Sequence, residues 1–180
     1  MSLELLVMRH AKSSWELGYA SDYQRPLNER GISDAPRMAH WLVAQHKIPE
    51  LIFSSPAVRA AETTRLLTAE FPSYDSKQVI FCEELYHGAP RHYLQRLACL
   101  EGTEVRRAMV VGHNPGLEQL VYQLSGDPQH LPTASVVCLR LEIDHWGDIW
   151  DQRQLIGDKA IGRLLAIGRP KEIFGKSAGD

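Results

Sequence analysis

Cysteine is scarce in this sequence: Cys82, Cys99 and Cys138 are the only three in 180 residues. They are odd in number, widely spaced and set in apolar runs, which argues against a disulfide framework or a zinc site and predicts buried thiols. No apolar stretch approaches the roughly 18 residues of a membrane span, and the N-terminus runs into a strand pattern without a basic region and cleavage site. A cytoplasmic location is expected, with no membrane partner. An excess of one charge is also missing. The formal net charge is -2, from 20 Lys and Arg against 22 Asp and Glu. No basic run is long enough for an interaction tail, so no nucleic-acid partner is expected. Any recognition of an anion must be local.

What is present suffices for one core. Hydrophobic residues make up 44% and charged residues 23% of the chain, and the length suits a single domain over residues 1–180. Short apolar runs, "LELLVM", "ELIFS", "QVIFC" and "AMVVG", stop at polar or glycine punctuation and read as buried strands. Between them lie segments at helical spacing. In "SDAPRMAHWLVAQH", Ala35, Met38, Ala39 and Leu42 share a stripe, with Ser33 as N-cap and Pro36 in the first turn. "PAVRAAETTRLLTAEF", "PRHYLQRLACL" and "PGLEQLVYQLSG" repeat the pattern. The alternation predicts a three-layer α/β/α domain on a mostly parallel sheet. Toward the C-terminus, "ASVVCLRLEI" and "DIWDQRQLI" read as a hairpin around Trp146 and Gly147, "DKAIGRLLAIG" as a last helix, and residues after Arg169 as a surface tail.

In an open parallel sheet, ligands bind beyond the carboxyl ends of the strands. Those ends carry Arg9 and His10, then Arg59 in "SSPAVRAAET", then Glu83 and Glu84 in "EELYHG", then His113 in "GHNPG". A lone Arg or His at a strand end is ordinary; two of each at successive strand ends point to an anion site. In "RHAKSSW", "RPLNERG", "SSPAVRAAET" and "VGHNPG", taken in order, the sequence resembles the histidine phosphatase superfamily, of phosphoglycerate-mutase-like fold. It is most similar to the small phosphohistidine phosphatase branch.

That resemblance implies a phosphatase working without cofactor or metal. His10 would be the nucleophile, and Arg9, Arg59 and His113 would clamp the phosphoryl oxygens. Arginine's planar fork matches a phosphoryl group, and nearby guanidinium charges disfavour a proton on His10. Ser13, Ser14 and Arg25 are further candidates for substrate contacts, with an Asp22–Arg25 ion pair bracing their loop as the alternative for Arg25. Relatives place an Asn contact near the position of Glu16. Acid phosphatases of the superfamily place Asp after the second histidine, where this chain has Asn114, read here as the N-cap of a helix with Pro115 at its first position. Glu83 or Glu84 is then the candidate proton donor. Without a strong acid, phosphohistidine still departs as neutral imidazole, and the short segments between motifs leave little sequence for a lid. Both points favour a phosphorylated protein as partner over a small phosphorylated substrate. His87 stands apart from the other histidines because it lies at a site-facing strand end.

Overall fold

A computed structural model describes residues 2–15, 18, 20–150 and 160–175. Six strands form one sheet: β1 (Leu3–Arg9), β2 (Leu51–Ser54), β3 (Val79–Phe81), β4 (Arg107–Gly112), β5 (Val136–Leu141) and β6 (Gly162–Gly168). Their order is β3-β2-β4-β1-β5-β6. The pairs β3–β2, β2–β4 and β4–β1 are parallel, and β5 runs antiparallel to both β1 and β6. The longer helices are α1 (Glu29–Ala44), α2 (Val58–Ala69), α3 (Pro90–Ala98) and α4 (Gly116–Ser125), followed by a short α5 (Pro170–Phe174).

Strand alternation divides the core into two layers. Leu3, Leu5 and Val7 of β1 pack on one face with Leu94 and Leu97 of α3 and Leu117, Leu120 and Leu124 of α4. Leu6 and Met8 point the other way, toward Ala35, Met38, Ala39 and Leu42 of α1 and Ala60 and Leu67 of α2. The central strands are therefore apolar at consecutive positions, as a sheet covered on both sides requires. This is the expected mixed α/β architecture.

Several local expectations need correction. Helix α1 begins at Glu29, and its N-cap is Asn28, whose side chain accepts from the Gly31 N–H, 3.0 Å. Ser33 lies inside the helix, and Pro36 is an interior proline beyond the first turn. Residues 162–168 are the strand β6, although 158 and 159 of that segment lie outside the described residues. β5 pairs with β1 and β6, and of the expected partner strand 148–156 only 148–150 are among the described residues. Trp146–Trp150 is a 3-10 helix, anchored by the Trp146 indole N–H on the Val105 carbonyl, 2.7 Å, with Ile149 buried, and 151–156 lie outside the described residues. Cys82 and Cys138 are buried, but Cys99, at the end of α3, is exposed. The stretch after Arg169 starts with α5 rather than a bare tail, and Phe174 packs into the α1–α2 layer.

Gly31 joins α1 to the segment that follows β1. A Cβ at this position would overlap the Lys12 carbonyl oxygen, and the Asn28 N–H donates to that same oxygen, 3.0 Å. Gly31→Ala is therefore expected to destabilise the fold by about 1–3 kcal/mol through overpacking. An unchanged urea midpoint would show that this contact is slack.

Candidate functional site

Parallel strands β1, β2 and β4 end together, and the chain leaves each one on the same edge of the sheet. His10 follows β1, with its N–H on the Gly112 carbonyl, 3.1 Å. His113 follows β4 directly, and Ser55 follows β2. Arg59 sits in the first turn of α2, where the short connection from β2 projects it back over the strand ends. His10, Arg59 and His113 are 6%, 2% and 3% exposed, so three polar side chains are withdrawn from water around one point.

Their hydrogen bonds fix the protonation pattern. The His10 Nδ1 lies 2.7 Å from the Ala11 carbonyl, which can only accept, so Nδ1 carries the proton. Nε2 is left with its lone pair, toward which Arg59 Nε donates at 3.3 Å. Arg59 Nη2 donates to His113 Nδ1 at 3.3 Å, so His113 holds its proton on Nε2, 2.8 Å from Ser55 Oγ. The two imidazole rings are 5.0 Å apart. Burial pushes His10 down to about 3, and the charges of Arg59, Arg9 and Arg25 act the same way against the Ala11 hydrogen bond. Burial also takes His113 to about 2, with His10, Arg59 and His87 adding to it. Arginine charge alone gave the expected direction for His10; desolvation is the larger cause.

Both rings are thus neutral when folded but protonate near their ordinary value of 6.5 when unfolded. The unfolded state binds more protons below that value, so stability is full above it and is lost as pH falls toward about 3. Each ring contributes a slope of up to about 1.4 kcal/mol per pH unit. Urea midpoints recorded from pH 7 to 4 should fall steeply, and less steeply in His113→Asn. Parallel slopes would contradict the burial assigned to this ring.

Arg59 has two donor edges. Nε and Nη2 face the histidines, while Nη1 donates to the Asp22 carbonyl, 2.6 Å, and Nη2 also donates to Asp22 Oδ2, 2.9 Å. Asp22 begins a 3-10 turn, Asp22–Gln24, in the loop between β1 and α1. Partial burial would raise its carboxyl, but the Tyr86 hydroxyl, 3.0 Å from Oδ2, and the Arg59 charge bring it down to about 2. The Asp22 turn is thus drawn across to Arg59.

Arg9 donates from Nη1 to the Leu131 carbonyl, 2.9 Å, and its buried Nε has no hydrogen-bond partner among the described residues. Glu118 steadies that loop: its Oε1 accepts from the Leu131 N–H, 2.8 Å, and from Asn114 Nδ2, 2.8 Å. Asn114 also donates to the Leu131 carbonyl, 3.0 Å. Its side chain does not cap α4, which starts at Gly116 after Pro115.

The remaining candidates are placed as follows. Arg25 spends its donors on Asp22 Oδ1, 2.9 Å, and the Ser14 carbonyl, 3.2 Å, and its guanidinium lies 3.8 Å over the Trp15 ring. Ser13 is buried in the same loop, where its backbone bridges to Leu27. Glu84 forms an ion pair with Arg96 of α3, which holds its carboxyl below the usual range. Glu83 is exposed at the rim, hydrogen-bonded to Tyr23. Each glutamate is thus engaged with a partner other than His10 or His113. Glu16 lies outside the described residues.

Three contributors escaped the sequence reading. Ser55 looks like a helix cap but is the partner of His113. Thr63 accepts from the Ala11 N–H, 2.9 Å, tying α2 to the residue after His10; its place four residues after Arg59 in one motif was the available signal. Tyr86 stands between Asp22 and His113, its ring 5.6 Å from the latter, and nothing but its neighbour His87 marks it in the sequence.

Comparison with known proteins bears on the family and the fold. Residues 5–86 match the histidine phosphatase superfamily (branch 1). A chloroplastic protein of Arabidopsis thaliana is 30% identical over 158 residues, covering 84% of this chain and 71% of that protein. The structure of SixA from Agrobacterium tumefaciens superposes with a TM-score of 0.74 at 26% identity, over 93% of this chain and 99% of that one. A structure of the protein histidine phosphatase SixA complexed with tungstate gives a TM-score of 0.75 at 24% identity, over 94% and 99% of the two chains.

Proposed function

The chain belongs to the histidine phosphatase superfamily, and from that premise we propose that it hydrolyses protein phosphohistidine through a phosphorylated His10. The observation that carries the reading is the bare Nε2 of a neutral, buried His10 facing the inner edge of Arg59. A lone pair held there, among fixed cations, suits in-line attack on phosphorus. As the bond from Nε2 to phosphorus forms, the bond to the leaving nitrogen breaks, and its electron pair stays on the departing imidazole. Water then attacks the phosphorylated His10 and releases inorganic phosphate.

Arg59 and Arg9 hold the phosphoryl oxygens by charge-assisted hydrogen bonds. A bare Nδ1 cannot donate, so His113 joins them only after gaining a proton there, which the negative phosphoryl group favours. The leaving-group side supports phosphohistidine. The position after His113 is an amide, Glu84 is bound to Arg96, and Glu83 sits against Tyr23. A phosphohistidine ring whose other nitrogen is protonated leaves without help from an acid of the site, whereas an alkoxide needs a proton donor. SixA, a protein histidine phosphatase by description, is similar over nearly the whole fold, and its complex holds tungstate, a tetrahedral oxyanion.

A protein carrying phosphohistidine, incubated with the enzyme, should release inorganic phosphate while His10 acquires acid-labile 32P. Saturable binding without release would instead leave a phosphate-binding module, and labelling only from small esters would favour a metabolite phosphatase. The chemistry assigned to these residues includes no metal step, and among the described residues no three His, Cys, Asp or Glu side chains gather as a metal site. Turnover is expected to be the same with and without EDTA; loss reversed by a divalent ion would contradict the site.

A further inference from the structure

His87 has no part in the chemistry above, yet it stands at the mouth of the site. Its ring is 5.8 Å from that of His113 and 4.2 Å from that of Tyr86. Its Nε2 lies 3.6 Å from Asp22 Oδ2, the ion pair a protonated ring forms. The residue is held in the left-handed region, φ 51°, a conformation that strains a side chain other than glycine's. The next residue, Gly88, is packed so closely under Gly116 that a Cβ on Gly116 would overlap its carbonyl oxygen, so the turn cannot relax in that direction. A strained, braced histidine beside a reactive centre is better explained by a task than by packing, since its side chain is 60% exposed.

We infer that His87 is the proton donor to oxygen leaving groups, which extends the activity of the site to alkyl phosphomonoesters. The inference rests on the phosphohistidine mechanism proposed for His10. The groups that face His87 leave the task to it. Arg59 does not give up a proton, Asp22 is held ionised by Tyr86 and Arg59, and His10 and His113 are neutral in the unliganded site with their protons on Ala11 and Ser55. The Tyr86 hydroxyl is committed to Asp22. Imidazole is the side chain that exchanges a proton most readily near neutrality, and Asp22 supplies the counter-charge when it does. As His10 Nε2 bonds to phosphorus and the ester P–O bond breaks, the electron pair moves to the leaving oxygen, which takes the proton of the His87 imidazolium. The neutral ring then accepts a proton from the water that attacks the phosphorylated His10, and both residues are restored.

The test is kcat/KM, which reports phosphoryl transfer to His10 and not the later hydrolysis, for glycerol 2-phosphate and 4-nitrophenyl phosphate. General acid catalysis is worth about 10²–10⁴-fold where the leaving group needs the proton. In His87→Asn and His87→Gln the ratio of alkyl to aryl kcat/KM should fall about 10²-fold or more. Phosphohistidine turnover should decline less than the alkyl ester, because its imidazole brings its own proton. Equal losses on both esters would make His87 a structural part of the rim and overturn the assignment. So would wild-type enzyme that turns over phosphohistidine but no alkyl ester. Failure of the wild type on all three substrates would instead sink the phosphohistidine mechanism, and this inference with it.

Discussion

His10→Ala is expected to lower phosphohistidine turnover on the order of 10⁴-fold or more, as loss of a covalent nucleophile does. Affinity for inorganic phosphate should largely survive. The variant removes Nε2 but leaves Arg59 tied to Asp22 through its outer edge, so the anion still meets a fixed guanidinium. Folding should survive too, since the ring being replaced is neutral and Arg59, which loses its Nε contact to His10, keeps both of its bonds to Asp22. Below pH 6.5 the variant should even resist acid better than the wild type, because one imidazole that prefers to protonate in the unfolded chain is gone. The measurements are steady-state release of phosphate, 32P trapping on the chain, and phosphate binding by calorimetry. Residual turnover within about 100-fold of wild type would mean that water attacks phosphorus directly, with the phosphoryl clamp supplying the rest of the catalysis.

That Arg9, His10, Arg59 and His113 lie on one edge of the sheet was legible in the sequence, because each ends, follows or opens an element whose signal is strong. Apolar runs fix where β1 and β4 stop, and the residues after them must then lie on one edge of a parallel sheet. The residues that tune the clamp were not legible, because their roles run through backbone atoms or through space. The Leu131 carbonyl that receives Arg9 has no side-chain signature, and Asp22 reaches Arg59 across 37 positions of sequence. Glu83 and Glu84 looked equivalent because spacing does not say that Arg96, in the last turn of α3, claims one of them.

The misread elements have equally specific causes. Ile161, Leu164, Leu165 and Gly168 satisfy a helical spacing as well as a strand of mixed exposure, and a short apolar run does not separate the two. The decision was made by β5, which offered an open edge on the far side from β1. Pro36 served as a start signal for α1, yet Asn28, Glu29 and Gly31 are the true one, set by the approach of Gly31 to Lys12.

Arg59→Lys tests whether the clamp depends on charge or on shape. A lysine places one charge near the histidines, but it has a single donor group at its tip. Arg59 uses separate edges: Nε and Nη2 meet His10 and His113, while Nη1 and Nη2 are gripped by the Asp22 carbonyl and carboxylate. A lysine that reaches the phosphoryl oxygens must release Asp22, and one that keeps Asp22 withdraws from the anion. The expected result is a fall in kcat/KM of about 10²–10³-fold, the usual effect of losing a donor that stabilises transition-state charge. Arg59→Ala should be hardly worse than Arg59→Lys. Asp22→Asn, which keeps Arg59 but weakens its outer anchor, should cost less than either. A lysine variant within tenfold of wild type would show that a point charge suffices there, and that the two-edged geometry of Arg59 reflects folding rather than catalysis.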